Sequence, residues 1–280
     1  MATTAIDSRQ APDDGVAAAE ARHAAMRRRL ALRRRVLPFV GVAALIGAWG
    51  ALVHLLEVKP FVAPAPEVVL QTLIAKFPML MSNLQWTALE AVAGFLLGNF
   101  VAIVAATLFV HFKSLEETFF PVVVLINTIP IVAKAPILVL LLGNGIEPKI
   151  AVAALICFFP TMVNMVRGLE AVSPQQLELL RVLSASRREV FFKLRLYNSL
   201  PYLFSALKIS ASTATIGAIV GEWVSTTVGI GALIVQAMYA FDSALLYATV
   251  LVGSGFAFCF FLAISALERL VVRWHAPAVT

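Results

Sequence analysis

Long uninterrupted apolar blocks constrain this chain more than any other feature. They lie at about 37–56, 87–110, 119–143, 148–166, 203–223 and 245–266. A helix needs about 20 apolar residues to cross about 30 Å of hydrocarbon. Only helices and closed barrels satisfy their backbone in lipid, and barrel strands would show alternating segments of about ten residues, which are missing here. Of the 280 residues, 60% are hydrophobic and 14% charged, against about 25% charged in soluble domains. The expected fold class is therefore all-α and integral to the membrane, with six transmembrane helices. Residues 229–240, opened by Gly229-Ile230-Gly231, form an apolar segment too short to span and read as re-entrant or interfacial.

Charge sets the expected topology. With six spans and an inside N-terminus, 17 of the 22 Lys and Arg fall on the cytoplasmic side, and only Lys59, Lys76 and Lys149 fall outside. That asymmetry predicts both termini in the cytoplasm. Residues 1–35 form a basic cytoplasmic tail, partly disordered by composition; residues 36–275 form the transmembrane domain, and 276–280 a short C-terminal tail. The first apolar block is too long for a signal-peptide core and reads as an uncleaved span. The formal charge of +6 thus belongs to membrane topology and implies no nucleic-acid partner. Cys157 and Cys259 lie apart inside apolar blocks and show neither a disulfide framework nor a metal-ligand spacing.

The segment 167–201 is charged, and its pattern is ordered. Ser173-Pro174-Gln175-Gln176 combines a cap residue, a proline at the first helical position and a glutamine three residues after the cap. Ser186-Arg187-Arg188-Glu189 is a second capping box. Asn198-Ser199-Leu200-Pro201 is expected to stop that second helix and return the chain to the membrane. Two short capped helices at a bend form a knob, which by itself could equally be a pair of amphipathic helices lying on the bilayer.

Glu178-Leu179-Leu180-Arg181-Val182-Leu183-Ser184-Ala185-Ser186, followed by Leu200-Pro201, resembles the EAA motif of ABC importer permeases. The match extends to Phe61–Val69, to Ile129-Pro130 with Ala135-Pro136-Ile137-Leu138, and to Gly217–Trp223 with Gly229 and Gly231. It covers about residues 36–275 and points to permeases of the nitrate/sulfonate/taurine type, a branch that includes thiamine-pyrimidine and riboflavin importers. The resemblance implies a type I importer permease whose cytoplasmic loop is the coupling helix for an ATP-binding subunit. Pro174, Leu177, Glu178, Arg181, Leu183, Ser184, Ala185, Ser186 and Pro201 are the residues it assigns to that contact. It further implies a second permease copy, expected to be identical so that the pair is a homodimer, an extracytoplasmic solute-binding protein, and residence in the cytoplasmic (inner) membrane. The chain has no Gly-Lys-Ser/Thr element, so ATP and Mg belong to the partner, and no cofactor or catalytic residue is expected here. Ser184 stands where the family usually has glycine, which raises the question of how the chain turns there.

Charges inside spans need partners, since each costs about 2.5–3.5 kcal/mol at depth. Glu90 and Lys134 differ in depth by roughly 8 Å at 1.5 Å per residue, so the expectation is that they pair, or that Lys134 faces the pathway. Acidic Glu90 also leans toward the pyrimidine and riboflavin importers rather than the anion importers. Glu222 and Asp242 are expected at the outer face. The rival function is an ion-coupled secondary transporter, which would need paired carboxylates or broken helices in two similar halves and would leave the capped loop unexplained.

Overall fold

The structure is a computed structural model that describes residues 36–225 and 227–272, together with Met26 and Arg33. The rest of the basic tail 1–35 and the C-terminal tail 276–280 lie outside the described residues. The chain divides into two compact units, Met1–Pro66 and Glu67–Thr280.

In the first unit, α1 (Val36–Leu55) is a single apolar helix of 20 residues. Leu45 is 73% exposed along it, the pattern of a surface that lipid solvates. α2 (Pro66–Ala75) begins at the boundary with proline in its first turn, where the missing N–H costs nothing.

The second unit is a helical bundle. α3 (Phe77–His111) has 35 residues and at 1.5 Å each runs about 52 Å, beginning ten residues before its apolar block. α4 (Lys113–Thr128) and α5 (Ile131–Leu142) meet at a bend of 101°. The expected third span, 119–143, is thus not one straight helix. The reason is local: a residue before proline is driven out of the helical region, and Ile129 sits extended at φ −67°, ψ 126° ahead of Pro130. α6 (Glu147–Glu170) follows, then α7 (Pro174–Val182), α8 (Arg187–Val190), a π-helical turn at Phe191–Arg195, and α9 (Leu196–Ser225). α10 (Ile230–Tyr239) is too short to cross, as expected, and α11 (Ser243–Val271) completes the unit. Among the described residues, five helices are long and apolar enough to cross a membrane, and the bent α4–α5 pair would make a sixth.

α6 is the centre of the bundle, packed between α3 and α9. Lipid offers helices no hydrophobic reason to associate, so close backbone approach through small residues does the work. Gly94 and Gly98 of α3 meet Ala153 and Ala154 of α6, and a Cβ at Gly217 of α9 would lie 2.7 Å from Ala153 Cα. With Gly221 against Lys149, two Gly-x3-Gly pairs clasp one stretch of α6 from two sides. A polar chain crosses the same interface: Thr161 Oγ1 donates to Asn99 Oδ1 at 2.5 Å and lies 3.0 Å from Ser210 Oγ. It joins α3, α6 and α9 with buried hydrogen bonds. Phe95 and Phe260 pack edge to face at 4.9 Å and tie α3 to α11.

Pro201 does not end the helix that starts at Arg187. That helix continues to Val224, with Pro201 inside α9. Tertiary contact explains it. A Cβ on Gly168 of α6 would fall 2.9 Å from Ser199 Cα, and Asn198 Nδ2 donates to the carbonyls of Ala171 (2.8 Å) and Gly168 (3.4 Å) at the C-terminus of α6. This packing outweighs the one ladder bond that proline removes.

Candidate functional site

Two constructions could carry function, one at each end of the bundle. The first is the connection Ala171–Ser186 with the helices around it. Ser173 caps α7, its Oγ accepting from Gln176 N at 3.3 Å, with Pro174 at the first helical position. Ser186 caps α8 with both arms of a capping box: its Oγ accepts from Glu189 N, and its own N donates to Glu189 Oε2 at 2.9 Å. Local sequence signals wrote both starts. Between them, Ala185 N donates to Leu180 O and Ser184 N to Arg181 O, both at 2.9 Å. That pair of bonds is the Schellman arrangement, which needs a left-handed residue at its first position beyond the cap. Ser184 supplies it at φ 53°. Serine therefore makes the same turn that glycine makes more cheaply, and the departure from the family pattern leaves the bend intact.

The turn leaves an apolar edge on α7 uncovered. Leu179 is 61%, Val182 82% and Leu183 66% exposed. Glu178 is exposed beside them, whereas Leu177 and Ala185 are half-buried on the opposite side. Arg181 lies near the latter two, and Pro201 lies away from this edge, within α9.

The second construction is a buried polar joint around the start of α10. The first N–H groups of a helix have no partner within it, and in a buried setting each must find one. Three consecutive donors do. Gly229 N reaches Asn83 Oδ1 at 2.9 Å, Ile230 N reaches Thr87 Oγ1 at 2.8 Å, and Gly231 N reaches Glu222 Oε2 at 2.5 Å. Thr87 in turn donates to Glu222 Oε1 at 2.6 Å. A carboxylate at a helix N-terminus is also favoured by the helix dipole. Gly229 sits at φ 109° and a Cβ there would strike the Glu222 carboxyl, so the joint requires glycine twice over.

Glu90 belongs to the same region and corrects the expected pairing. Its Oε1 lies 3.2 Å from Lys149 Nζ, with side-chain exposures of 2% and 7%; Lys134 is not its partner. Depth counting matches Glu90 to the wrong helix because it ignores rotation about each axis. Lys149, placed outside by sequence, points into the bundle from the first turn of α6. Glu222 lies close enough to Glu90 for the two carboxyls to interact, and Glu90 Oε2 makes no hydrogen bond of its own. Glu222 is fully buried, so it is not the exposed outer-face charge that the sequence suggested.

Lys134 is half-buried on α5, beside a cavity of about 90 Å³ lined by Asn127, Phe158 and Phe159. It has no ion pair among the described residues. Asp242 caps α11, accepting from Leu245 N at 3.0 Å, and pairs with Lys76 at 2.8 Å. The Lys76 ammonium holds the Asp242 carboxyl below its ordinary value; partial burial opposes this and the Leu245 N–H adds to it. Asn83, Thr87 and Lys149 escaped sequence reading. The available signal was Gly229-x-Gly231 opening a short apolar helix just after an intramembrane Glu222.

The joint is a clasp that ties α3, α9 and α10 together through buried hydrogen bonds. Comparison with known proteins shows the family. Residues 94–276 match the family model described as binding-protein-dependent transport system inner membrane component. A probable ABC transporter permease protein from Haemophilus influenzae is 31% identical, over 84% of this chain and 96% of the relative. The formylaminopyrimidine transport permease protein ThiX of Halalkalibacterium halodurans is 31% identical, over 78% and 87%. The riboflavin transport system permease protein RibX of Chloroflexus aurantiacus is 31% identical, over 85% and 89%. With its helical membrane bundle, the chain belongs to the family of binding-protein-dependent transport system inner membrane components, as an ABC transporter permease subunit and not an enzyme.

Proposed function

We propose that this permease imports a small nitrogen heteroaromatic solute, of the pyrimidine or flavin class, delivered by an extracytoplasmic binding protein. The relatives named for formylaminopyrimidine and riboflavin support that substrate class. A groove of about 540 Å³ between α9 and α11 supports it too: it offers the hydroxyls of Ser212 and Ser254 beside the rings of Phe258 and Phe261. Hydroxyls and ring faces suit a planar, largely neutral cargo in passage, and two permease copies would enclose the path between them.

ATP and Mg act on a separate ATP-binding subunit, which docks on α7 from the cytoplasm. The observation that carries this is the uncovered edge of Leu179, Val182 and Leu183 on a helix fixed at both ends by caps. A rigid, short, apolar-edged helix transmits a push from a partner without bending. The lysine and arginine asymmetry supports a cytoplasmic position for this end. The test replaces Glu178 and Leu183 together with alanine in the assembled transporter. ATP hydrolysis should persist while uptake is lost; normal coupling in that variant would sink the docking assignment. Binding of pyrimidines, flavins, sulfonates and nitrate to the partner binding protein decides the substrate class.

A further inference from the structure

A cavity of about 400 Å³ opens between the end of α3, the inner face of α7 and the start of the α8 helix. Three arginines line it, Arg181, Arg187 and Arg195, with His111 beside them. The remainder is apolar, chiefly Val110, Leu177 and Phe191. No carboxylate of the described residues lines it. Of the acids at this end, Glu189 is engaged by Lys193 at 3.0 Å, and Glu116 and Glu170 by Lys113 at 2.6 and 3.6 Å, while Glu178 is exposed beside the uncovered edge of α7. None of the three arginines has an ion pair among the described residues. His111 is held in place, its Nδ1 2.8 Å from Thr107 O and its ring packed edge-on to Phe191 at 5.0 Å.

Three arginines without an ion partner around one concavity make it attractive to an anion. Guanidinium forks match phosphate oxygens two at a time. Basic pockets between helices at the inner membrane face are suited to anionic headgroups. We infer that this cavity binds a phosphate group, carried by an anionic lipid or free in solution, that pins α7 to the bundle. Its place favours the lipid. The cavity opens where the apolar course of α3 ends at His111, and Val110 and Phe191 offer a wall for glycerol and upper acyl carbons. A carboxylate from the ATP-binding subunit is disfavoured, because the uncovered edge of α7 (Leu179, Val182, Leu183) is distinct from the side that carries Leu177 and Arg181.

The test uses the full chain in non-ionic detergent. Native mass spectrometry titrates it with phosphatidylglycerol and with phosphatidylcholine of the same acyl chains; thermal unfolding follows inorganic phosphate. Phosphatidylglycerol should bind about tenfold more tightly than phosphatidylcholine, as charge-assisted contacts predict. Arg187→Gln with Arg195→Gln should lose about that factor, and Arg187→Lys with Arg195→Lys should keep most of it. Stabilisation by inorganic phosphate alone, lost in the glutamine pair, would support the phosphate site with a soluble occupant. Equal binding of the two lipids without any phosphate effect overturns the inference. So does phosphatidylglycerol binding that is unchanged in the glutamine pair while its capture of the ATP-binding subunit fails. If the glutamine pair does not fold, the two lipids and phosphate still decide on the unmodified chain.

Discussion

Lys149→Met should be among the most damaging single changes in this chain. The mutation leaves Glu90, 1% exposed, without the ammonium 3.2 Å away, and with Glu222 as its carboxyl neighbour. Removing one member of a buried pair costs about 3–5 kcal/mol, because the surviving charge stays desolvated. For a chain of this size each kcal/mol moves the melting midpoint by about 2–4 °C, so a drop between about 6 and 20 °C is expected. Replacing both partners, Glu90→Met with Lys149→Met, removes the orphaned charge and should recover most of the loss. Unfolding in detergent micelles, followed by tryptophan fluorescence, reads all three variants and closes the double-mutant cycle. A single mutant as stable as the parent, or a double mutant no better than the single, would refute the reasoning.

Ser184→Gly relieves left-handed strain of about 1–2 kcal/mol against about 0.4–1 kcal/mol of added unfolded-state freedom; a net gain between zero and about 1.6 kcal/mol with coupling unchanged is expected in the same melting assay. Gly217→Val should drive α9 off Ala153 of α6, lowering stability by about 1–3 kcal/mol, the usual cost of overpacking, and increasing protease sensitivity after normal insertion. Because the folded value of Asp242 is depressed, its pairing with Lys76 contributes stability above the unfolded carboxyl value, about 3.9, and loses it as pH falls through the lower folded value. The pair is about 40% exposed, so solvent screening keeps its contribution within about 1 kcal/mol. The melting difference between parent and Asp242→Asn, which keeps a capping side chain, should therefore shrink as pH is lowered from 6 to about 3. Lys134→Met removes an unpaired charge from α5 and should raise the melting midpoint; unchanged uptake in that variant would exclude Lys134 from the pathway.

The sequence by itself determined whatever depends on neighbours along the chain. Apolar length marked the helices that can cross, because hydrocarbon thickness sets that length. Ser173 with Pro174, and Ser186 with Glu189, marked two helix starts, because capping bonds close within four residues. Ile129-Pro130 carried a local break that apolar length alone concealed. Tertiary structure decided what depends on the rotation and contact of distant helices. Glu90 found Lys149 across the α3–α6 interface, and Glu222 turned inward to close the first turn of α10. Pro201 remained helical because Asn198 and Ser199 pack on the end of α6. Arg181, Arg187 and Arg195 came to line one cavity through the turn at Ser184 that joins α7 to α8. Residue spacing carries depth and local bonding but not azimuth, and azimuth decides which side chains meet.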